Sequence, residues 1–376
     1  MLKFLNIKPE VFGLDISDLS LKIIKLKKKK GDLSLASFSE EKIKPGLIKK
    51  GQIKDEKALI EVLKKAVLNV KGEKLKTNYI IASLPEEETF LQVIQMPKMK
   101  EEELKEAVRF EAENYIPLPI NDLYLDFEVI KPVYDNLDYL DVLVAALPKK
   151  IVDSYVFCFK EAGLIPIALE VESLAICRAL IKNQVSPYPI LLIDFGATKT
   201  GFIIFSGSGL HFTFSIPISS QKLTEAISKT LNKDLVLAEN LKLKYGLKKG
   251  TDLSFKQRKK YKGEAEEVFD AIIPSLVDLV EQIKNHLSFY QSHARQENLP
   301  SGRKGIERIL LCGGGANLKG ILSFLSLELK FPVELGNPWI NILKEPQKET
   351  KDLPYAESLK YATTLGLALR GIKAND

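Results

Sequence analysis

The chain has 376 residues, 45% hydrophobic and 28% charged, and its 55 lysines and arginines exceed its 49 acids by only six charges. That length supports two or more hydrophobic cores, and that balance excludes a disordered chain. The surplus of positive charge is mild, with lysines scattered among glutamates, so nothing in it calls for a nucleic-acid partner. Cys158, Cys177 and Cys312 lie far apart in apolar contexts and read as buried, reduced thiols of a cytosolic protein. The three histidines, His211, His286 and His293, show no metal or triad spacing. No stretch approaches a membrane span, and Met-Leu-Lys-Phe-Leu-Asn-Ile-Lys at the start lacks the apolar core of a signal peptide.

In chain order, residues 11–16, 19–27 and 32–40 read as a meander of three strands. The first is apolar and ends on Asp15, followed by a turn with hydroxyls at Ser17 and Ser20 and a second strand bearing Lys22. The run Lys25–Lys30, followed by Gly31-Asp32, reads as the cap of a hairpin turn; the alternative is attraction to an acidic membrane surface. Residues 54–68 change to a helical period, with Leu59, Val62, Leu63, Ala66 and Val67 on one stripe and Asp55 placed to cap it. A buried strand follows at 78–83. Next come a strand at 90–96, an acidic helix at 101–116 ended by Pro117 and Pro119, and strands at 125–131 and 139–146. A helix at 149–162, stopped by Gly163, and a strand at 164–170 complete a small α+β unit of about 75 residues.

Leu191–Thr200, Leu-Leu-Ile-Asp-Phe-Gly-Ala-Thr-Lys-Thr, repeats the grammar of the first hairpin roughly 180 residues later. An apolar strand suited to burial on both faces ends on Asp194, Gly196 permits a tight turn, Thr198 and Lys199 supply a hydroxyl and a cation, and a strand leaves at 201–205. Such a tip sets amide N–H groups beside a carboxylate, a geometry able to hold polyphosphate and its metal. Beyond it we read a strand at 209–217, helices at 220–231 and 234–244, a lysine-rich connection at 246–262, a long helix at 264–296 that Pro274 invites to kink, and a loop at 298–305. Ile309–Gly320 is an apolar strand running into Gly313, Gly314, Gly315 and Ala316, where bare backbone suits a nucleoside. An extended segment at 332–342 carries Trp339, and residues 356–369 form an apolar closing helix.

The two acidic hairpins and the glycine turn, in that order, resemble the phosphate 1, phosphate 2 and adenosine segments of the actin, Hsp70 and sugar-kinase superfamily. Gly13-Leu14-Asp15-Ile16, the Arg109–Pro117 wording Arg-Phe-Glu-Ala-Glu-Asn-Tyr-Ile-Pro, Ile193–Ala197, Ala238–Lys242, Gly313–Ala316 and Tyr361–Leu369 together resemble the PilM family of type IV pilus assembly proteins, relatives of the division protein FtsA. The resemblance covers essentially the whole chain. It implies an α/β, actin-like (ribonuclease H-like) two-lobed ATPase fold with an inserted SHS2-type, 1C-like α+β subdomain. The first lobe would comprise residues 1–88 and 165–186 with the helix at 355–372 packed back on it, the insert 89–164, the second lobe 187–218 and 306–354, and its subdomain 219–305. ATP or ADP with Mg²⁺ would sit between the lobes. The cytoplasmic N-terminal tail of PilN would dock beside the insert, where Arg109, Phe110 and Tyr115 are the candidate contacts. Other pilus platform proteins, the assembly ATPase and self-association are further partners so implied, and the location is the cytoplasmic face of the inner membrane, reached through partners.

Within that frame Asp15 and Asp194 would face each other and hold Mg²⁺ through water. Lys22 and Lys199 would offset phosphate charge, while Ser17, Ser20, Thr198 and the amides of Gly196 and Ala197 would donate to its oxygens. Glu239 and Lys242, one helical turn apart, suit the ribose and adenine edge; the alternative is a surface ion pair. Glu170 or Glu172 would be the base acting on water. Ser17 stands where the superfamily has a glycine, and Asp18 adds a negative charge there, so ATP binding is expected with slow or absent turnover. Two other readings compete. An FtsA-like division scaffold would carry an amphipathic membrane-targeting end, whereas Leu369–Asp376 is short and polar. A small-molecule kinase would need acceptor-binding polar groups that no stretch announces.

Overall fold

The computed structural model describes residues 9–29, 31–130, 139–247, 263–293, 305–345, 350 and 352–373. It divides into a first unit of Met1–Val185, Gly207–His211 and Asn337–Asp376, and a second of Ser186–Ser206 and Phe212–Gly336. The lysine-rich connection after Leu247, most of the loop at 298–305, Lys30 and Lys131 lie outside the described residues.

The first unit opens on antiparallel β1 (Phe12–Ile16), β2 (Ser20–Lys29) and β3 (Asp32–Lys42), with Asp15 opposite Lys22 in the β1–β2 register. A short hairpin, β4 (Ile48–Lys49) and β5 (Gln52–Ile53), leads to α1 (Glu56–Leu68). That helix starts where the Asp55 carboxylate accepts the Ala58 N–H at 3.0 Å, and it buries Leu59, Ile60, Leu63 and Ala66. β6 (Lys71–Gly72) joins the edge of the sheet at β3, and β7 (Tyr79–Leu84) lies parallel to β1.

The inserted module is built from β8 (Phe90–Pro97), α2 (Glu101–Ala112), β9 (Leu123–Ile130) and β10 (Tyr139–Pro148), a three-stranded sheet of order β8-β10-β9. Ile94, Met96, Leu104, Val108, Val142 and Val144 form a core of its own. The helix α2 stops at Ala112 rather than 116, because Pro117 disfavours helical backbone at Ile116 and the chain turns through Glu113–Tyr115. α3 (Lys149–Glu161) also departs from expectation: Val152, Tyr155 and Phe159 are buried in the core of the large sheet with Leu59 and Leu63 of α1, not in the core of the insert. β11 (Ile165–Val171) and α4 (Glu172–Leu180) follow, completing a six-stranded sheet of order β11-β7-β1-β2-β3-β6.

The second unit carries β12 (Ser186–Phe195), β13 (Thr200–Gly207) and β14 (Gly209–Ile216) apart from Gly207–His211 at their junction, then α5 (Ser220–Leu231), α6 (Leu235–Tyr245), α7 (Glu264–His293), β15 (Arg308–Cys312), α8 (Ile321–Leu329) and β16 (Val333–Leu335). Its sheet runs β14-β13-β12-β15-β16. Leu191, Leu192 and Ile193 of β12 are buried as a continuous apolar run, the pattern of an interior strand covered on both faces. α7 passes through Pro274 as one helix.

From Asn337 the chain returns to the first unit, earlier than the expected boundary at residue 354. The cause is burial: Trp339 and Ile342 share a core with Ile24, Leu26 and Phe38 of the six-stranded sheet. α9 (Tyr355–Ser358) and α10 (Ala362–Lys373) close the unit. A Cβ on Gly13 would meet the Thr364 carbonyl oxygen at 2.5 Å, and one on Gly366 the Ala175 carbonyl oxygen at 1.8 Å, so α10 lies backbone-close to β1 and α4. Glycine is needed at both positions for that approach.

Candidate functional site

In the first unit Asp15 is buried at the end of β1, only 5% exposed, and accepts a 2.9 Å hydrogen bond from the Ser83 hydroxyl of β7. Its other oxygen faces the Lys22 ammonium at 3.6 Å. Lys22 donates to the Ser20 hydroxyl at 2.8 Å, and the Ser17 and Ser20 hydroxyls lie 3.0 Å apart. Carboxylate, ammonium and hydroxyls thus form one polar chain along a single hairpin. Asp18 behaves differently from expectation. Its carboxylate accepts the Lys50 and Gly51 amides, each at 3.1 Å, so it fastens this hairpin to the β4–β5 turn rather than adding charge to a phosphate cradle.

In the second unit Asp194 is half-buried near the end of β12. The turn after it closes through Gly196, whose N–H donates to the Lys199 carbonyl oxygen at 3.0 Å, and a Cβ there would meet that oxygen at 2.8 Å. The Gly196 and Ala197 carbonyl oxygens accept the Ser220 and Gln221 amides, each at 3.0 Å, so the turn is tied to the start of α5. Ala197 is exposed, and Thr198 and Lys199 are partly exposed. β15 runs parallel to β12 with Cys312 opposite Asp194, and the Cys312 thiol lies 3.9 Å from the Asp194 carboxylate. The glycines then hug that strand. A Cβ at Gly313, where φ is +83°, would meet Asp194 Oδ1 at 2.3 Å, and one at Gly315 the Phe195 ring at 2.7 Å. Gly314 alone of the three is exposed, whereas Gly313, Gly315 and Ala316 are buried. Two of the three bare backbones therefore serve packing within the fold.

Lys242 on α6 is 3% exposed, far from the surface pair its spacing allows. Its ammonium sits 2.8 Å from the Glu239 carboxylate and donates to the Ser220 carbonyl oxygen and to the Ser220 and Thr224 hydroxyls of α5. Burial holds its pKa below the ordinary lysine value, with Glu239 opposing the shift. Glu170, at the end of β11, is 5% exposed and grips the Arg178 guanidinium of α4 through two hydrogen bonds of 2.7 and 2.5 Å, with Arg370 of α10 at 3.4 Å. This corrects the expectation of a base at that position: the carboxylate is already committed to two guanidinium groups of its own unit. Glu172 is the first residue of α4 and is 9% exposed.

On the insert, Phe110 near the end of α2 is 73% exposed and Tyr115 in the turn after it 46%, and Arg109 donates to the Asn121 side chain at 3.2 Å. Beside the insert a groove of about 490 Å³ is lined by Val156 and Lys160 of α3, Leu164, and Ile165–Leu169 of the edge strand β11. Ile165 and Ile167 are 44% and 46% exposed there. Sequence reasoning missed Ser83 and Arg178, which touch the candidate carboxylates. Their signal is tertiary: Ser83 ends a strand whose register against β1 is invisible in a linear pattern, while Arg178 lies eight residues from Glu170, across a strand-to-helix junction.

The donor set fits a magnesium nucleotide in kind. Each unit by itself carries one aspartate, a lysine and hydroxyls at a strand end, Asp15, Lys22 and the serines in the first and Asp194, Lys199 and Thr198 in the second, and the described residues contain no group of three His, Cys, Asp or Glu side chains able to hold a metal by themselves. A magnesium ion here would be held through water and the nucleotide's own oxygens, the ordinary habit of that ion.

The comparisons with known proteins agree with this architecture. A chain of the solved PilM-PilN type IV pilus biogenesis complex superposes with a TM-score of 0.78 at 28% identity, covering 97% of this chain and 99% of that one. MreB5 of Spiroplasma citri, solved with ADP, superposes with a TM-score of 0.53 at 16% identity over 98% of this chain and 99% of its own, and the shared fold is that of the actin-like ATPases. Among curated proteins, the cell division protein FtsA of Streptococcus pneumoniae serotype 2 (strain D39 / NCTC 7466) is 24% identical over 339 residues, 82% of this chain and 71% of the relative. The FtsA of Helicobacter pylori (strain J99 / ATCC 700824) is 24% identical over 45% of this chain and 35% of its own length. The family model described as type IV pilus assembly protein PilM matches residues 13–372, and the chain belongs to that family.

Proposed function

We propose that this chain is a nucleotide-binding adaptor of type IV pilus assembly that captures the cytoplasmic N-terminal tail of PilN beside its inserted module. The observation that carries the reading is the family match from residue 13 to 372, joined to a 28% identical chain solved in a PilM-PilN complex. Phe110 and Tyr115 support the docking place, because large apolar side chains so exposed beside an arginine are the composition of an interface anchor. The groove between α3 and β11 supports it further, offering an apolar wall and an unpaired strand edge to an extended peptide.

ATP or ADP with Mg²⁺ is the bound nucleotide, held by Asp15, Lys22 and the serines of the first turn, by Asp194 and Thr198–Lys199 of the second, and by Glu239, Lys242 and the turn at Gly314. Turnover is slow or absent. The support is the commitment of Glu170 to Arg178 and of Asp15 to Lys22. Attachment to the cytoplasmic face of the inner membrane follows from capture of the tail, and further platform proteins, the assembly ATPase and a second copy of the chain are additional partners.

Titration of the isotope-labelled chain with a synthetic PilN tail tests this reading. The expected result is saturable chemical-shift change confined mainly to residues 90–165. A division scaffold, the reading that the FtsA relatives favour, would leave those resonances unmoved by that peptide.

A further inference from the structure

The lysine run of the sequence acquires neighbours in the fold that no linear pattern shows. Lys25 is buried and paired with Glu10 at 2.6 Å, so the run is not a solvated tail but part of β2, an interior strand. β3 places Ser37 opposite both Lys25 of β2 and Gly72 of β6. Beyond Gly72 the Glu73 N–H donates to the Ala36 carbonyl oxygen and the Thr77 hydroxyl to the Glu10 carbonyl oxygen, so the segment carrying Lys74 and Lys76 crosses from the β3 edge to the chain just before β1. Lys71, Lys74 and Lys76 are exposed, as is Lys28, and Lys27 reaches across β3 to Glu73 at 2.5 Å. The hydrogen bond and charge of Lys27, with smaller contributions from Lys25 and Lys76, hold the Glu73 carboxyl below the usual range. Lys27 and Lys76 therefore share the one glutamate, with Lys28, Lys71 and Lys74 exposed on the neighbouring chain and Lys71 over the Phe38 ring, while Lys25 pairs with Glu10 and Lys344 with Asp32 at 2.8 Å.

Protection of a sheet edge against pairing would explain a lysine on β6. It does not explain Lys74 and Lys76, which are exposed on the segment after β6 and belong to no strand. We propose that this edge of the first unit, built by Lys27, Lys28, Lys71, Lys74 and Lys76, is a docking surface for an anionic phospholipid bilayer. The chemistry favours a lipid surface over nucleic acid in two ways. Every cation of the patch among the described residues is a lysine, a compact, hydrated point charge, without the arginine fork of bidentate phosphate recognition. Among the described residues none of the large exposed aromatic side chains, Phe110, Tyr115, Tyr124, Phe157 and Phe289, belongs to it, so the described patch offers no stacking platform for a base. The inference stands apart from tail capture, since it concerns the bare chain and lipid.

Flotation of the full chain with vesicles of equal parts phosphatidylglycerol and phosphatidylcholine is the test, with pure phosphatidylcholine vesicles alongside. The chain should float with the anionic vesicles only and be released as salt rises, because exposed charges are screened beyond about 8 Å at physiological ionic strength. Replacing Lys71, Lys74 and Lys76 together by alanine should weaken partition by about a hundredfold, from about 1 kcal/mol per lysine near such a surface. The triple replacement Lys222→Ala, Lys229→Ala, Lys233→Ala on α5 and the turn after it removes the same charge elsewhere and should leave flotation intact. Melting curves confirm that both variants fold. Equal flotation with both lipids, equal loss in both triple variants, no flotation at all, or binding of duplex DNA in place of vesicles would each overturn the proposal.

Discussion

Asp15 and Asp194 carry the same local grammar yet differ in burial. Asp15 is enclosed by Ser83 and Lys22, whereas Asp194 is half-buried beside an exposed Ala197 and a partly exposed Thr198. A carboxylate nearer the surface of its turn is the one best placed to meet a hydrated cation. Asp194→Ala should therefore abolish magnesium-nucleotide binding in calorimetry while leaving the melting temperature within a few degrees, and unchanged affinity would refute the assignment. At this scale the sequence made residue types and turn positions legible, since an Asp at the end of an apolar run is local information. Partners across the fold were not legible: Asp18 and Glu170 read as free charges, and each is tied to groups brought near by folding.

Element packing explains several family features better than ligand contact does. Gly13 and Gly366 allow α10 to lie against β1 and α4, where added methyl groups would meet backbone atoms at 2.5 and 1.8 Å. Since backbone cannot yield as a flexible side chain can, Gly366→Ala should cost about 3 kcal/mol, read as a lower midpoint in chemical denaturation. An unchanged midpoint would show that α10 is not so closely seated. The aromatic stack of the second unit makes a pH-dependent element. His286 of α7 lies on Phe214 of β14 with ring centroids 3.6 Å apart, and burial lowers its pKa from the ordinary 6.5. A folded-state pKa below the unfolded one means the unfolded chain takes the proton first, so stability is full above pH 6.5 and falls as pH drops below it. His286→Phe keeps the stack and should flatten the melting temperature across that acid range, whereas a slope equal to the parent's would place the titration elsewhere. Strand and helix periods foretold nearly every element, because periodicity is local. They misplaced the end of α2 and the allegiance of α3, whose apolar face could fill either of two neighbouring cores.

At the scale of the molecule, the repeat of one acidic hairpin and the wording around Arg109–Pro117 made the actin-like fold and the pilus family legible before any coordinates, and the family match over 13–372 bears that out. The unit boundary was less legible. Trp339 and Ile342 belong to the first unit because they complete the core over Ile24 and Phe38, a long-range fit that composition does not encode. The central claim is that this chain holds the PilN tail through the exposed apolar side chains of its insert. Isothermal titration of the full chain with the synthetic tail tests it most directly, a scrambled peptide serving as control. We predict one-to-one saturable binding that Phe110→Ala weakens at least tenfold, since a buried aromatic anchor contributes about 2 kcal/mol or more. Heats no larger than those of the scrambled peptide would contradict the account.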